Sequence, residues 1–174
     1  MKKLLSLLAV FILGGCATPA AVEQMAVYLS ATHTNPAFKN AVGVTEVTGG
    51  RDTSSLWTSQ VSSDAFRRAL EQSLENAGMF SKIVAGSKYQ LTADLTRLDQ
   101  PVMGFDMTVT TTVRYSLIET STRKEVYGRV IQMGHTATMS DAFVGAQRLK
   151  LANEGAVKAN IQAFIGDLIA LKLP

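Results

Sequence analysis

The sequence predicts an α+β fold, a two-layer sandwich in which a mainly antiparallel sheet of about four strands is covered on one face by two helices. Residues 105–118 alternate apolar and polar side chains, which is typical of a strand with one buried and one solvated face. Residues 60–77 and the stretch from residue 142 onward repeat apolar residues every three or four positions, as helices with one apolar face do. Such helices would cover the sheet, and the predicted order is β-α-β-β-β-α.

The first predicted strand covers residues 41–48, AVGVTEVT, and a glycine pair ends it. The helix that follows, over 60–77, carries signals at both of its ends. Ser62 or Ser63 can accept a hydrogen bond from a free N–H group of the first turn. Gly78 is suited to the left-handed conformation in which many helices end. Together these residues predict where the helix begins and ends.

Three further strands are predicted at 89–98, 105–118 and 126–133, and a polar connection joins the last two as a hairpin. A long helix then closes the chain, with Ser140 or Asp141 as its cap. Three glycines lie within this helix: Gly145, Gly155 and Gly166. Because glycine costs about 1 kcal/mol relative to alanine inside a helix, we expect a bend or a close contact with other backbone at these positions.

Residues 1–15 have the three parts of a secretory signal peptide. Lys2 and Lys3 form a basic start, residues 4–13 are mostly apolar, and two glycines follow. A transmembrane helix needs about 20 apolar residues, and this run has about half of that number. A buried N-terminal helix is the alternative, but it leaves both the paired lysines and the Gly-Gly-Cys ending unexplained. We therefore predict that residues 1–15 are cleaved.

Residues 16–40 are short of charge and rich in alanine, threonine, asparagine and proline. This composition predicts a tether that leads from residue 16 to the folded part. The alternative for Met25 to Leu29 is an added strand or a segment that packs on the surface. Residues 41–174 are then one α+β domain, which is long enough to bury a hydrophobic core. Cys16 is the only cysteine, so we expect no disulfide, thiolate metal ligand or thiol nucleophile in that domain.

Charge and motifs argue against several classes of function. Without the two signal-peptide lysines, 15 basic residues stand against 14 acidic ones and form no basic stripe, which disfavours nucleic-acid binding. His135, Ser140 and Asp141 have the residue types of a catalytic triad, but no Gly-x-Ser-x-Gly turn surrounds the serine. His33 and His135 lie too far apart for a metal-binding motif. We predict no catalytic residue, no metal and no cofactor, and hence no enzyme.

The polar face of the strand at 105–118 is the best candidate for a binding surface. Its residues are Thr108, Thr110, Thr112 and Arg114, with Thr111 adding to the threonine content. Trp57 and the turn at 100–105 are expected to flank this face. Threonine is common in strands, so a merely solvated face is the alternative. The binding interpretation is a docking surface for a partner protein, or an edge strand that accepts another strand.

The sequence LGGC at 13–16 resembles the lipobox of bacterial lipoproteins. The resemblance implies that the sulfur of Cys16 receives a diacylglyceryl group, that cleavage occurs before this residue, and that the new amino group is acylated. Each buried CH₂ contributes about 0.8 kcal/mol, and two acyl chains already anchor a protein stably. By the same resemblance, Ala17 in place of an aspartate favours sorting to the outer membrane.

The organisation of the chain resembles small α/β lipoproteins of the Gram-negative envelope, which include auxiliary lipoproteins of transport and assembly systems. Besides the lipobox, three stretches carry the likeness: AFRRALEQSLENAGMF at 65–80, GFDMTVTTTVRYSLI at 104–118 and RLKLANEGAVKANIQAFI at 148–165. The resemblance implies a non-enzymatic protein on the periplasmic side of the outer membrane that binds an envelope partner. The alternative is a carrier or chaperone that holds a lipid or a small apolar ligand between its helices and sheet.

Overall fold

The structure is a computed structural model that describes residues 17–29, 34–54 and 58–173. The predicted signal peptide and Cys16 lie outside these ranges, as do His33 and Trp57. The helices and strands, in chain order, are α1 (Val22–Met25), β1 (Val42–Thr48), α2 (Ser63–Asn76), β2 (Tyr89–Asp99), β3 (Met107–Glu119), β4 (Glu125–Ala137) and α3 (Gly145–Ala170). Two single-turn 3₁₀ helices precede β1 and β2, at Pro36–Phe38 and Val84–Gly86.

The strands form one sheet in the order β1-β2-β3-β4. β1 runs parallel to β2 and is joined to it through α2, whereas β2, β3 and β4 pair antiparallel. α2 packs on β1, and α3 packs on β3 and β4. The predicted α+β fold with a mainly antiparallel four-stranded sheet is therefore confirmed.

β3 shows the alternation that its sequence predicts, since buried and accessible side chains alternate from Met107 to Leu117. The predicted start of this strand is wrong, however. Phe105 lies in the loop before β3 and is exposed, because the pairing of β3 with β4 begins at Met107, opposite Ala137, where β4 ends. β4 is longer than predicted, since its backbone pairs with β3 as far as Ala137.

α2 begins and ends as its sequence indicates. The hydroxyl of Ser62 accepts a hydrogen bond from the Ala65 N–H at 3.1 Å, and Gly78 after the helix has a φ of +69°. The predicted cap of α3 is wrong, because Val144 is the residue that precedes its first turn. The Asp141 carboxylate instead accepts hydrogen bonds from the N–H and hydroxyl of Thr138, at 2.7 and 2.8 Å, and so closes the turn after β4.

The predicted tether at 16–40 is wrong for the described residues 17–29 and 34–40. Met25, Val27 and Phe38 are buried in the main core, and α1 contacts both α2 and α3. The Val27 N–H donates to the hydroxyl of Ser73 at 2.9 Å. Small, uncharged side chains are typical of a linker, but they also allow a segment to lie in a groove between helices. The folded part therefore includes residue 17 and does not begin at 41.

The core lies between the sheet and the two longer helices. Tyr115 of β3 and Phe164 of α3 stack with their ring centroids 4.2 Å apart, and the Tyr127 ring meets Phe164 edge-on at 5.6 Å. Such aromatic pairs contribute about 0.5–1.5 kcal/mol beyond the area that they bury. Within the described residues, none of the helices combines the length and the apolar character that crossing a bilayer requires.

Candidate functional site

The side chains predicted as a binding face lie together on the side of the sheet that faces away from the helices. They are Thr108, Thr110, Thr112 and Arg114 of β3. On β4, the residues directly opposite are Thr136, Gly134, Gln132 and Val130. The hydroxyls of Thr108 and Thr136 are 2.8 Å apart. The position of Trp57, the fifth predicted residue of this face, lies outside the described residues.

This outer face is polar and accessible rather than packed. Arg114 is exposed and lies between Asp94 of β2 and Val130 of β4, which is itself 49% exposed. The hydroxyl of Thr48 on β1 donates to the Asp94 carboxylate at 2.8 Å. Threonine and glycine positions dominate this face on β3 and β4.

Thr111 differs from its threonine neighbours, because it points into the molecule. Its hydroxyl donates to the Ala156 carbonyl of α3 at 3.2 Å. Asn160 donates to the Ile131 carbonyl of β4 at 2.9 Å and accepts from the hydroxyl of Tyr115 at 3.0 Å. Burial raises the pKa of Tyr115 well above its usual range. This network joins α3 to β3 and β4, and its role is structural.

β4 is an edge strand, and the two edges of the sheet are not alike. On the outer side of β1, the Val42 N–H donates to the Met79 carbonyl at 3.0 Å and the Ser81 N–H donates to the Val42 carbonyl at 2.8 Å. β4 spans 13 residues and pairs with β3 alone among the described residues. A long edge strand presents unpaired N–H and C=O groups, so β4 is the edge that could accept an added strand.

His135, Ser140 and Asp141 each have a local structural contact. The His135 ring packs on α3 at Gly155, where a Cβ atom would come within 2.1 Å of the ring, so this glycine permits a close contact. The hydroxyl of Ser140 lies 2.7 Å from that of Thr138. The Thr138 N–H, and secondarily its hydroxyl, lower the pKa of Asp141. Within the described part of the chain, no group of three or more His, Cys, Asp or Glu residues could hold a metal ion.

Glu154 is a buried carboxylate on α3 that the sequence does not indicate as functional. It accepts a hydrogen bond from the Ala21 N–H at 2.7 Å, and Lys150 lies 3.8 Å away. Burial raises the pKa of Glu154, although the Ala21 N–H and Lys150 act in the opposite direction. The contact fixes the segment before α1 on the surface of α3.

The first described residues are held at the end of the sheet where β2 finishes. The Thr18 carbonyl accepts from the Ser59 hydroxyl at 2.8 Å. The Ser59 carbonyl accepts from Gln100 at 2.9 Å and from Asn153 of α3 at 3.0 Å. Gln100 and Asn153 are in turn hydrogen-bonded to each other at 2.7 Å. This polar cluster joins the start of the described chain to β2 and α3.

The comparisons with known proteins show the fold. The chain is similar to a Xanthomonas campestris protein of the DUF330 family, with a TM-score of 0.61, 16% identity and coverage of 88% of this chain and 96% of that one. A candidate lipoprotein from Caulobacter crescentus gives a TM-score of 0.54 at 13% identity, over 77% and 91% of the two chains. A minor lipoprotein from Acinetobacter baumannii gives 0.50 at 10% identity, over 79% and 98%.

At these identities the likeness shows a shared fold. Two of these Gram-negative proteins are described as lipoproteins. None of the three is described with an enzymatic activity. No protein-family model matches the chain, and no curated protein sequence matches it either.

Proposed function

We propose that this chain is a non-enzymatic lipoprotein of the Gram-negative envelope. An acylated Cys16 anchors it to the periplasmic side of the outer membrane, and its folded part binds a protein partner in a transport or assembly system. The LGGC sequence before Ala17 supports the anchor and its destination. The shared fold with lipoproteins of Caulobacter and Acinetobacter supports the class of protein.

The observation that carries partner binding is the open side of the sheet. Both longer helices pack on one face, and the other face presents Thr108, Thr110, Thr112 and Arg114. The unpaired edge of β4 lies beside this surface. A partner can therefore bind by covering the face, by adding a strand to β4, or by both together.

The packing gives no support to the alternative of a ligand carrier. A carrier would need space between α3 and the sheet. Tyr115 and Phe164 stack there, and Ile161, Ile165 and Leu168 of α3 are fully buried. Opening a ligand site of useful size would require these side chains to separate, at a cost comparable to that of losing a core side chain.

Two experiments test the proposal. Cys16→Ser should abolish incorporation of labelled palmitate and move the protein from the membrane fraction to the soluble fraction, since no acyl chain can attach to serine by this route. Unchanged fractionation would contradict the anchor.

For the partner, a photo-crosslinking amino acid is placed in cells at Thr112 on the outer face, and in a matched variant at Gln162, an exposed residue of α3. We expect one reproducible protein crosslink from position 112 and none from position 162. Equal crosslinking from both positions, or none from position 112, would argue against the outer face as the binding surface.

A further inference from the structure

Two loops at one end of the sheet expose a cluster of large apolar side chains, which we call the apolar end. Its members are Val102, Met103 and Phe105 of the β2–β3 loop, and Met139, Phe143 and Val144 of the β4–α3 loop. Four of them are at least 82% exposed, and members from both loops line one apolar depression. Isolated exposed apolar residues are ordinary, but a contiguous cluster marks contact with a protein or a membrane.

A buried arginine holds the two loops together beneath the apolar end. Arg148 of α3 donates to the carbonyls of Ala142 and Phe143 in one loop, at 2.8 and 2.7 Å, and to that of Gly104 in the other, at 3.3 Å. Arg148 is only 5% exposed. A buried cation is costly unless its N–H groups are bonded. The two Nη atoms make these bonds, whereas Nε has no partner among the described residues, so the bonds of the Nη atoms favour one arrangement of the two loops.

The chain enters the fold at the same end. Thr18 and Val144 line one surface pocket, and Ser59, which donates to Thr18, is bonded to Gln100 just before Val102. Only Ala17 separates Thr18 from Cys16 in the sequence, and consecutive Cα atoms are about 3.8 Å apart. A lipid attached to Cys16 would therefore emerge from the protein close to the apolar end.

The opposite end of the sheet has a different character. The loops there lie before β2 and between β3 and β4, and they carry Lys82, Lys88, Arg123 and Lys124, all exposed. Ile83, which is 73% exposed, is a large apolar side chain at this end. Charged loops of this kind favour water, so the sheet has one end suited to solvent and one that is not.

We infer that the apolar end rests in the surface of the lipid bilayer beside the anchor, so that acyl chains and loop side chains enter the same leaflet. This inference rests on the proposed acylation of Cys16 and adds an orientation to it. Loop phenylalanines and methionines contribute apolar area at the boundary of the acyl chains, as interfacial membrane anchors do. Asp106 and Asp141, both exposed, flank the cluster, so the contact should form on zwitterionic lipids without help from anionic ones.

The bilayer fits this surface better than a second copy of the chain. An anchor that leaves the fold within two residues of Thr18 brings the bilayer to this end. The exposed side chains also project from loop tips, and the depression that they line is open rather than enclosed. A second copy would have to bind in the space that the leaflet occupies.

The test uses the full mature protein, extracted from membranes and placed in phosphatidylcholine–phosphatidylethanolamine vesicles. Met103→Cys provides a single reactive thiol for an environment-sensitive fluorophore, since acylation consumes the sulfur of Cys16. Ile83→Cys at the opposite end is the matched control. Both residues are exposed, so the fold should tolerate either change, and circular dichroism checks this. Vesicle lipids that carry a nitroxide near the headgroup act as the quencher.

We expect most of the emission from position 103 to be lost and that from position 83 to be unaffected. If the protein floats with the vesicles but both labels escape quenching, or both are quenched alike, the orientation is wrong while the anchor stands. If position 103 crosslinks to a second copy of the chain and its emission is not quenched, the surface serves self-association and the inference is overturned. A protein that carries no acyl mass and does not float would overturn the proposed function itself.

Discussion

The two ends of the sheet expose different kinds of side chain. Nine large apolar residues are exposed in the described part of the chain, and six of them lie at the apolar end. The opposite end has charged loops around Ile83. Both ends are built from connections between strands and helices, which usually favour polar residues in water. The inferred membrane contact of the apolar end rests on this difference, and the hydrogen bonds of the buried Arg148 tie its two loops together.

The largest expected effect comes from removing the arginine that holds the apolar end. Arg148→Met should lower the free energy of unfolding by about 2–4 kcal/mol, because charged hydrogen bonds to three carbonyls are lost. Urea denaturation measures this change. The control, Arg114→Met on the outer face, should stay within about 0.5 kcal/mol of the parent protein. Equal effects of the two substitutions would show that Arg148 does not stabilise the loops.

A smaller effect is expected from the polar cluster that holds the start of the described chain. Asn153→Ala removes the hydrogen bonds to Ser59 and Gln100, and we expect a loss of about 1–3 kcal/mol. Amide hydrogen exchange at 17–20 should become faster than in the parent protein. The exposed Gln162→Ala serves as the control. Unchanged exchange at 17–20 would mean that this cluster does not fix the segment next to the anchor.

The raised pKa of Glu154 predicts a smaller effect on the free energy of unfolding, and this effect depends on pH. Since burial raises its pKa in the folded state above the usual 4.5, the folded state binds this proton more tightly than the unfolded state. Stability from this group is greatest below pH 4.5 and is lost as the pH rises through the folded-state pKa. The Glu154→Gln variant lacks this dependence, so the parent protein should lose stability relative to the variant over that range.

Urea midpoints of both proteins from pH 4 to pH 8 measure this difference. At pH 7 the variant should stay within about 1 kcal/mol of the parent, since a glutamine oxygen can still accept from the Ala21 N–H. A difference that is constant across this range would contradict the raised pKa.

Among these substitutions, replacing the two phenylalanines of the apolar end should change stability least and membrane contact most. The exposed side chains of Phe105 and Phe143 contribute little to the core, so their joint replacement by serine should change the free energy of unfolding by no more than about 0.5 kcal/mol. In the vesicle experiment, the same double variant should reduce quenching of the label at position 103. Ile83→Ser is the control. A double variant that unfolds easily, or that leaves quenching unchanged, would contradict a membrane role for the two rings.

The sequence predicted those parts of the fold that depend on residues close together in the chain, such as strand alternation and helix capping. The alternation in β3 placed Thr108, Thr110, Thr112 and Arg114 on one face, as the structure does. The predicted cap, Ser62 or Ser63, marked the start of α2, and Ser62 is the one that accepts from Ala65, because capping involves residues three positions apart. The position of a side chain on a strand follows from the period of two alone.

The failures concern contacts between distant parts of the chain. Residues 17–40 have the composition of a tether, and nothing local shows that Met25 and Val27 fit between the helices. Phe105 has the apolar character of a strand residue, and its place outside β3 depends on where β4 ends. The hydrogen bond between Ala21 and Glu154 joins residues 133 positions apart. For the same reason, no spacing in the sequence indicates that the apolar loops lie beside the first described residues.

Both the anchor and the orientation of the folded part depend on the chemistry of Cys16. The most direct measurement is the intact mass of the protein extracted from membranes, with fragmentation of its N-terminal peptide. We expect the mass of residues 16–174 plus a diacylglyceryl group on the sulfur and a third acyl chain on the new amino group. A chain that still carries residues 1–15, or that begins at Cys16 with a free thiol, would contradict the account.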